Sequence, residues 1–341
     1  MRKLALSVAI ALLGYAGAIS AAPDSPCDAR TGPEIRWVRV APPQENPALD
    51  RWCGAVGVPA RISGGHPQDM PPGPSVIVSW NTHVGAGDID RLVADLRSGR
   101  LTGGPPVTSF VLLLQEVYRA GPAVPSSVSG GRWASAQRPR SPGGRRDDVA
   151  VSAKRLGLEA FYVPSMRNGA PGATDEDRGN AILSTMPLSD LTAIELPLER
   201  QRRVALQATV NLTMRGRPST PLRLVSAHFT NMVMHRLWVL SESGRMRQAR
   251  ALAAVLPADG PRVVGGDFNA WFGYRDAAYK ALVEKVPAPS SDDRRATFGP
   301  MRLDHVLMRL PGGWRATLRR ADSRYGSDHY PLVAVMESPS N

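Results

Sequence analysis

Cysteine is nearly absent: 341 residues contain two, Cys27 and Cys53. Two thiols this far apart give no zinc signature, which needs clustered ligand pairs. Beyond the N-terminus no apolar run approaches the ~20 residues of a membrane-spanning helix, so none is expected there. There is no internal repeat and no heptad pattern, which excludes solenoids and coiled coils. Acids are in short supply, 30 against 42 Lys and Arg, for a net charge of +12. That balance favours an anionic partner: nucleic acid, acidic lipid head groups or a phosphorylated metabolite. An Arg-rich proteome would give the same balance with no partner at all.

Apolar residues make up 43% of the chain, enough for a sizeable core in one large domain or two small ones. The start, Met1-Arg2-Lys3 followed by an apolar run and then Ser20-Ala21-Ala22-Pro23, reads as a secretory signal peptide over residues 1–22. Cleavage is expected after Ala22. Export places the two cysteines in an oxidising compartment, which favours a Cys27–Cys53 disulfide. Eleven prolines in residues 23–74 rule out long helices there. The segment reads as an extension tied down by that disulfide, with one strand at 34–40 and a linker at 70–74.

The catalytic domain is expected over 75–338. Residues 75–80 are β-branched and bounded by prolines, a buried-strand pattern. Residues 88–97 form an amphipathic helix, with Ile89, Leu92, Val93 and Leu96 on one face. Residues 109–114 are a second strand, and strand–helix–strand opens an α/β fold. From 118 to 146 the chain loosens into Gly, Pro and Ser. It has no acid between Glu116 and Asp147, and it carries Arg119, Arg132, Arg138, Arg140, Arg145 and Arg146. This loop reads either as a clamp on a polyanion or as a flexible insertion. Helices follow at 147–156 and 237–256. Strands follow at 161–163, 179–184, 205–214, 222–227, 302–308 and 330–336.

The remaining strand carries the chemistry. Residues 263–269 read VVGGDFN. Positions two apart on a strand point the same way, so Asp267 and Asn269 deliver an acid and an amide to one place. Such a pair suits a hydrated divalent metal or a phosphate. The two glycines let the backbone turn or approach a ligand closely. Alone, the stretch fits a strand running into an Asx turn.

Other motifs share its character, in a fixed order. They are Ser79-Trp80-Asn81, Leu114-Gln115-Glu116, Arg178-Gly179-Asn180-Ala181-Ile182-Leu183-Ser184, Ser226-Ala227-His228, Gly266-Asp267-Phe268-Asn269, Arg302-Leu303-Asp304-His305 and Ser327-Asp328-His329. Each is read as a strand end. Over roughly residues 75–338 the chain resembles the endonuclease/exonuclease/phosphatase family. His305 departs from the Tyr common in that position.

The resemblance implies a four-layer α/β sandwich, two mixed β-sheets packed face to face with helices outside. It implies a metal-dependent phosphoric ester hydrolase. Asn81, Glu116 and Asp328 would hold a divalent metal, Mg²⁺ first, with Mn²⁺ or Ca²⁺ as alternatives. His228, Asp267, Asn269, Asp304 and His329 would be catalytic, and Arg178 and Asn180 would bind substrate. His83, His235 and His305 fit no required role. An exported nuclease, acting as a monomer on nucleic acid, is the leading expectation. A sphingomyelinase-like phospholipid phosphodiesterase comes second, with the aromatic run 271–274 as its membrane-facing candidate. A non-catalytic binding module comes third, disfavoured by the intact acids, amides and histidines.

Overall fold

The computed structural model describes residues 26–65, 75–125, 146–168, 175–214, 217–231, 243–289, 291 and 293–339. The signal peptide, the linker, most of the Arg-rich loop and His235 lie outside these residues. Among these residues, thirteen strands make up two mixed sheets. In chain order they are β1 (Arg36–Arg39), β2 (Ala60–Ile62), β3 (Ser75–Asn81), β4 (Ser109–Ala120), β5 (Glu159–Arg167), β6 (Glu176–Ser184), β7 (Ser189–Glu195), β8 (Val204–Met214), β9 (Arg217–His228), β10 (Arg262–Asp267), β11 (Asp304–Arg309), β12 (Arg315–Arg320) and β13 (Leu332–Glu337). One sheet has six strands ordered β1-β7-β8-β9-β10-β11, the other seven ordered β12-β13-β3-β4-β6-β5-β2.

Strand alternation creates the layers. On β3, Ile77 faces the other sheet, in a core shared with Val111, Leu206, Leu224, Val263 and Val306. Its neighbours Val76, Val78 and Trp80 face the opposite way. There they meet Ile89, Leu92, Val93 and Leu96 of α3 (Ile89–Arg97) and Val149 and Ala153 of α4 (Val149–Leu156). Behind the six-stranded sheet, Val225, Ala227 and Val264 pack on Ala249 and Leu252 of α5 (Ser243–Val255) and on Ala278 and Leu282 of α6 (Ala277–Val283). Three apolar interfaces between four layers give the expected sandwich. Each fully buried Leu, Ile or Val contributes about 1.5–3 kcal/mol. The helices start where the chain offers caps: Asp88 accepts from the Arg91 N–H at 2.9 Å, and Asp148 from the Ala150 N–H at 2.8 Å.

The segment before β3 enters both sheets. β1 pairs in parallel with β7, and β2 pairs antiparallel with β5. Its one helix beyond a turn or two, α2 (Asn46–Gly54), is short, and Cys27 and Cys53 are bonded. β7, β12 and α6 were not expected from the sequence. The strand expected at 302–308 begins at Asp304.

The glycines of VVGGDFN serve packing rather than approach to a ligand. A Cβ on Gly265 would meet Leu113 and Ser79 of the facing sheet, and one on Gly266 would meet the backbone of Ala227.

Candidate active site

The site begins with register. β10 lies between β9 and β11, and Asp267 at its end is the direct partner of His228 on one side and Asp304 on the other. From the opposite sheet, Asn81 at the end of β3 donates through Nδ2 to Asp267 Oδ2 at 3.0 Å, joining the two sheets at this point. Asn269 donates its backbone N–H to Asp267 Oδ1 at 2.9 Å, and its side-chain amide holds the Phe229 carbonyl at 2.9 Å. This is an Asx-type turn, and it places Asn269 at φ 48°.

His329 closes the cluster. Its Nδ1 is 2.8 Å from Asp304 Oδ2, and its Nε2 is 3.9 Å from Asp267 Oδ2. Ser327 sets the ring's backbone: its hydroxyl donates to the Asn81 carbonyl at 2.6 Å and accepts from the His329 N–H at 3.0 Å. Phe298 lies against the imidazole with ring centroids 4.8 Å apart. Thr297 Oγ1 accepts the N–H groups of Leu303 and Asp304 at 3.0 and 3.1 Å, fixing the acid behind the histidine.

Burial and charge pull these groups in different directions. Desolvation, then the charge of Asp304, raises the Asp267 carboxyl to about 6, against the pull of His329 and two hydrogen bonds. Desolvation would lower His329, but the charge and hydrogen bond of Asp304, followed by Asp267 and Asp328, raise it to about 10. A buried imidazolium thus sits among carboxylates, beside one carboxylate poised near neutrality.

His228 is held differently. Arg203 Nη1 lies 3.2 Å from its Nδ1. A guanidinium only donates, so Nδ1 is the acceptor and the ring proton sits on Nε2, 3.4 Å from Asp267 Oδ2. Arg203 is 5% exposed, and no motif announced it. It shares a narrow crevice with Glu116, Arg178, Asn180 and His228.

Glu116, Arg178 and Asn180 do not stand at strand ends, as the sequence suggested. β4 and β6 continue past them. Glu116 reaches the crevice because β4 changes register between Leu114 and Val117, with Glu116 at φ 51°. A non-glycine residue held there is strained, and bulges of this kind re-aim side chains beside sites. Arg178 Nη1 is 4.0 Å from Glu116 Oε2, and Asn180 donates to the Val204 carbonyl at 2.8 Å.

Asp328 lies at the margin, 3.9 Å from His329 Nε2 and 3.6 Å from His83 Nε2. The structure therefore brings His83, for which no role was expected, beside a site acid. His305 is buried among Phe268, Tyr274 and Tyr279 on the other face of β11. Of the two described arginines from the Arg-rich loop, Arg119 is buried on Asp177 at 2.7 Å and Arg146 pairs with Glu176 at 2.7 Å. Both are committed to structural acids rather than to a substrate clamp.

Two sets of side chains suit a cation. Asp267, Asp304 and His329 offer ligand atoms within 4.8 Å of one another, but there the imidazolium already supplies the positive charge. Glu116, its side chain 12% exposed, follows Gln115, the register partner of Asn81, and Asp328, 34% exposed, follows Ser327, whose hydroxyl bonds the Asn81 carbonyl. Solvent-reachable carboxylates and amides are hard oxygen donors of the kind a hydrated Mg²⁺ prefers.

A family model described as Endonuclease/Exonuclease/phosphatase family matches residues 78–329. No curated protein matches the chain significantly in sequence. Among solved structures, the endonuclease/exonuclease/phosphatase from Beutenbergia cavernae DSM 12333 is 18% identical, with a TM-score of 0.54, over 78% of this chain and 72% of that one. Sphingomyelinase C from Streptomyces griseocarneus is 16% identical, with a TM-score of 0.46, over 77% and 99%. A humanized D. rerio TDP2 is 18% identical, with a TM-score of 0.43, over 78% and 99%. At these identities the likeness is one of fold, and the last two carry no argument about substrate.

Proposed function

The chain belongs to the endonuclease/exonuclease/phosphatase family, and on that premise we propose that it is an exported, metal-dependent phosphodiesterase, a nuclease first of all. Members of the family are generally hydrolases of phosphoester bonds. The observation that most supports the reading is the in-register triple of His228, Asp267 and Asp304, with His329 against it.

In this reading Asp267, raised to about 6, takes the proton of the attacking water. The His329 imidazolium, held by Asp304, faces the charge that develops on the phosphoryl oxygens. Asn269, Asn180 and Arg178 position the phosphate. His228, neutral with its N–H on Nε2 and that tautomer fixed by Arg203, donates a hydrogen bond to the leaving oxygen, which takes its proton from water. A divalent metal held by Glu116, Asp328 and Asn81, Mg²⁺ before Mn²⁺ or Ca²⁺, would neutralise phosphate charge when bound.

The net charge of +12 favours nucleic acid as substrate. A disulfide favours an oxidising compartment, and among the described residues no helix is long and apolar enough to cross a membrane. One observation favours a phospholipid instead: Phe272, three residues past Asn269, is 44% exposed.

The test is incubation of the purified protein, from residue 23 onward, with supercoiled plasmid in Mg²⁺ or Mn²⁺. Nicking that disappears both in EDTA and in Asp267→Ala is the expected result. If DNA and RNA both survive, the nuclease reading fails, and choline release from sphingomyelin vesicles decides for the lipid substrate. Cleavage that persists in Asp267→Ala would sink the site assignment.

A further inference from the structure

β11 and β12 are end strands of their sheets. A cavity of about 350 Å³ opens between them, with Val306 and Leu318 in its wall. The cavity takes residues from both faces of β11, His305 and Val306, and no residue of the crevice where Asp304 meets His329 lines it.

Arg302 lines the cavity and is 7% exposed. Its Nη1 donates to the Arg295 carbonyl at 2.8 Å, while its Nε has no hydrogen-bond partner. Among the described residues no carboxylate pairs with it, whereas the buried Arg119, Arg202 and Arg245 face Asp177, Glu195 and Asp276. A buried guanidinium without a counter-charge is costly, and a bound anion removes that cost. Arg294, at the exposed mouth, lies over the Tyr274 ring at 4.6 Å and likewise has no acid partner among the described residues.

The floor adds an acceptor. His305 is 2% exposed, and burial, reinforced by the charge of Arg302, keeps its ring neutral. A hydrogen bond to the Arg302 backbone engages one ring nitrogen, and Nε2 has no partner. In a neutral imidazole whose N–H is so engaged, the other nitrogen accepts. Among the described residues no acid lines the cavity, so negative charge must come from outside.

We propose that this cavity binds a small phosphomonoester in its monoprotonated form. Its anionic oxygens meet Arg302 Nε–H and Arg294, its P–O–H donates to His305 Nε2, and its organic body lies on Val306 and Leu318. A carboxylate would satisfy the guanidiniums but bring no donor for Nε2. The ligand is held rather than cleaved, because no described carboxylate is there to activate water. This site stands whether or not the crevice proves to be a nuclease.

The test is calorimetric titration of the whole protein, in EDTA, with phenyl phosphate and with benzoate. Arg294→Ala, on the surface, and His305→Phe should each weaken phenyl phosphate binding about tenfold or more. His329→Ala, in the crevice, should leave it unchanged, and benzoate should bind more weakly. The proposal is overturned if the wild type does not bind phenyl phosphate or binds benzoate as tightly. It is equally overturned if His329→Ala abolishes binding while Arg294→Ala retains it. Near-UV circular dichroism of each variant separates lost contacts from lost fold.

Discussion

His329 turns its Nδ1 to Asp304 at 2.8 Å, and this leaves its Nε2 as the nitrogen facing Asp267 at 3.9 Å. On the proposed function Asp304 would work through the ring rather than on the substrate. It fixes which nitrogen points into the crevice and keeps the ring charged. Asp304→Asn preserves size but removes that charge. It should lower kcat by about 10²–10⁴-fold, the usual worth of a well-placed acid–base group, with little change in KM. Steady-state kinetics on the substrate found by the plasmid or lipid assay checks this. A kcat close to wild type would show that the carboxylate behind the ring is dispensable.

Arg203 should tune His228 in the same indirect way. The guanidinium at 3.2 Å from Nδ1 holds the proton on Nε2. His228→Ala should cost about 10²–10⁴-fold in kcat, and Arg203→Met about tenfold to a hundredfold, because the ring remains but its tautomer is free. The separating measurement is a ¹⁵N spectrum of the His228 ring. Arg203→Met should shift the signals toward a tautomer mixture, whereas a purely structural arginine would leave them where they were.

His305 predicts an acid-sensitive fold. Its folded pKa is lowered to about 3 by burial and then by Arg302, from an ordinary value of 6.5. The sign follows from proton counts. Above pH 6.5 neither state binds the proton, so His305 contributes nothing. Between 6.5 and about 3 only the unfolded chain binds it, so stability falls with pH across that window. By pH 4.5 the loss is about 2–3 kcal/mol. His305→Phe should remove this component. In urea titrations at pH 7.5 and 4.5, the variant's loss of stability should be smaller than the wild type's by roughly that amount. Equal losses would mean that the buried ring gains a proton in place.

Much of the fold and site was legible because the informative strands are buried. β3, β4 and β10 open as continuous apolar runs that polar motif residues close, and in β3 and β10 the motif coincides with the strand end. β12 was not legible: RATLRR is an edge strand with all but one residue partly or fully exposed, so neither alternation nor an apolar run marks it. Glu116 was found by motif, but its bulge could not be seen, since a register change depends on the partner strand. Arg203 carries no signal in one sequence; only the fold brings it to His228. Composition also could not show which charges are spent inside the fold: Arg39, Arg119, Arg202 and Arg245 are ion pairs with Asp50, Glu195, Asp177 and Asp276, and these four acids cancel them, so the net charge of +12 is carried by the other residues.

The Cys27–Cys53 bond makes a prediction that separates stability from catalysis. It joins α1 (Pro26–Ala29) to α2, with Cα atoms 5.7 Å apart and 26 residues of separation. Around it, Arg30 donates to the Cys53 carbonyl at 2.6 Å, and Arg202, stacked over Trp37, donates to Cys27 Sγ at 3.3 Å. The bond thus pins the segment that supplies β1 and β2, the outer strands of the two sheets. Closing a loop of this length contributes about 3 kcal/mol through the entropy of the unfolded chain. The double variant Cys27→Ser, Cys53→Ser should lose about that much in urea unfolding. None of the site residues comes from the segment 26–65, so kcat at 25 °C should stay near wild type. An unchanged unfolding midpoint would show that packing alone holds the segment. A collapse of kcat in a protein that still unfolds cooperatively would show that the outer strands help hold the crevice in register.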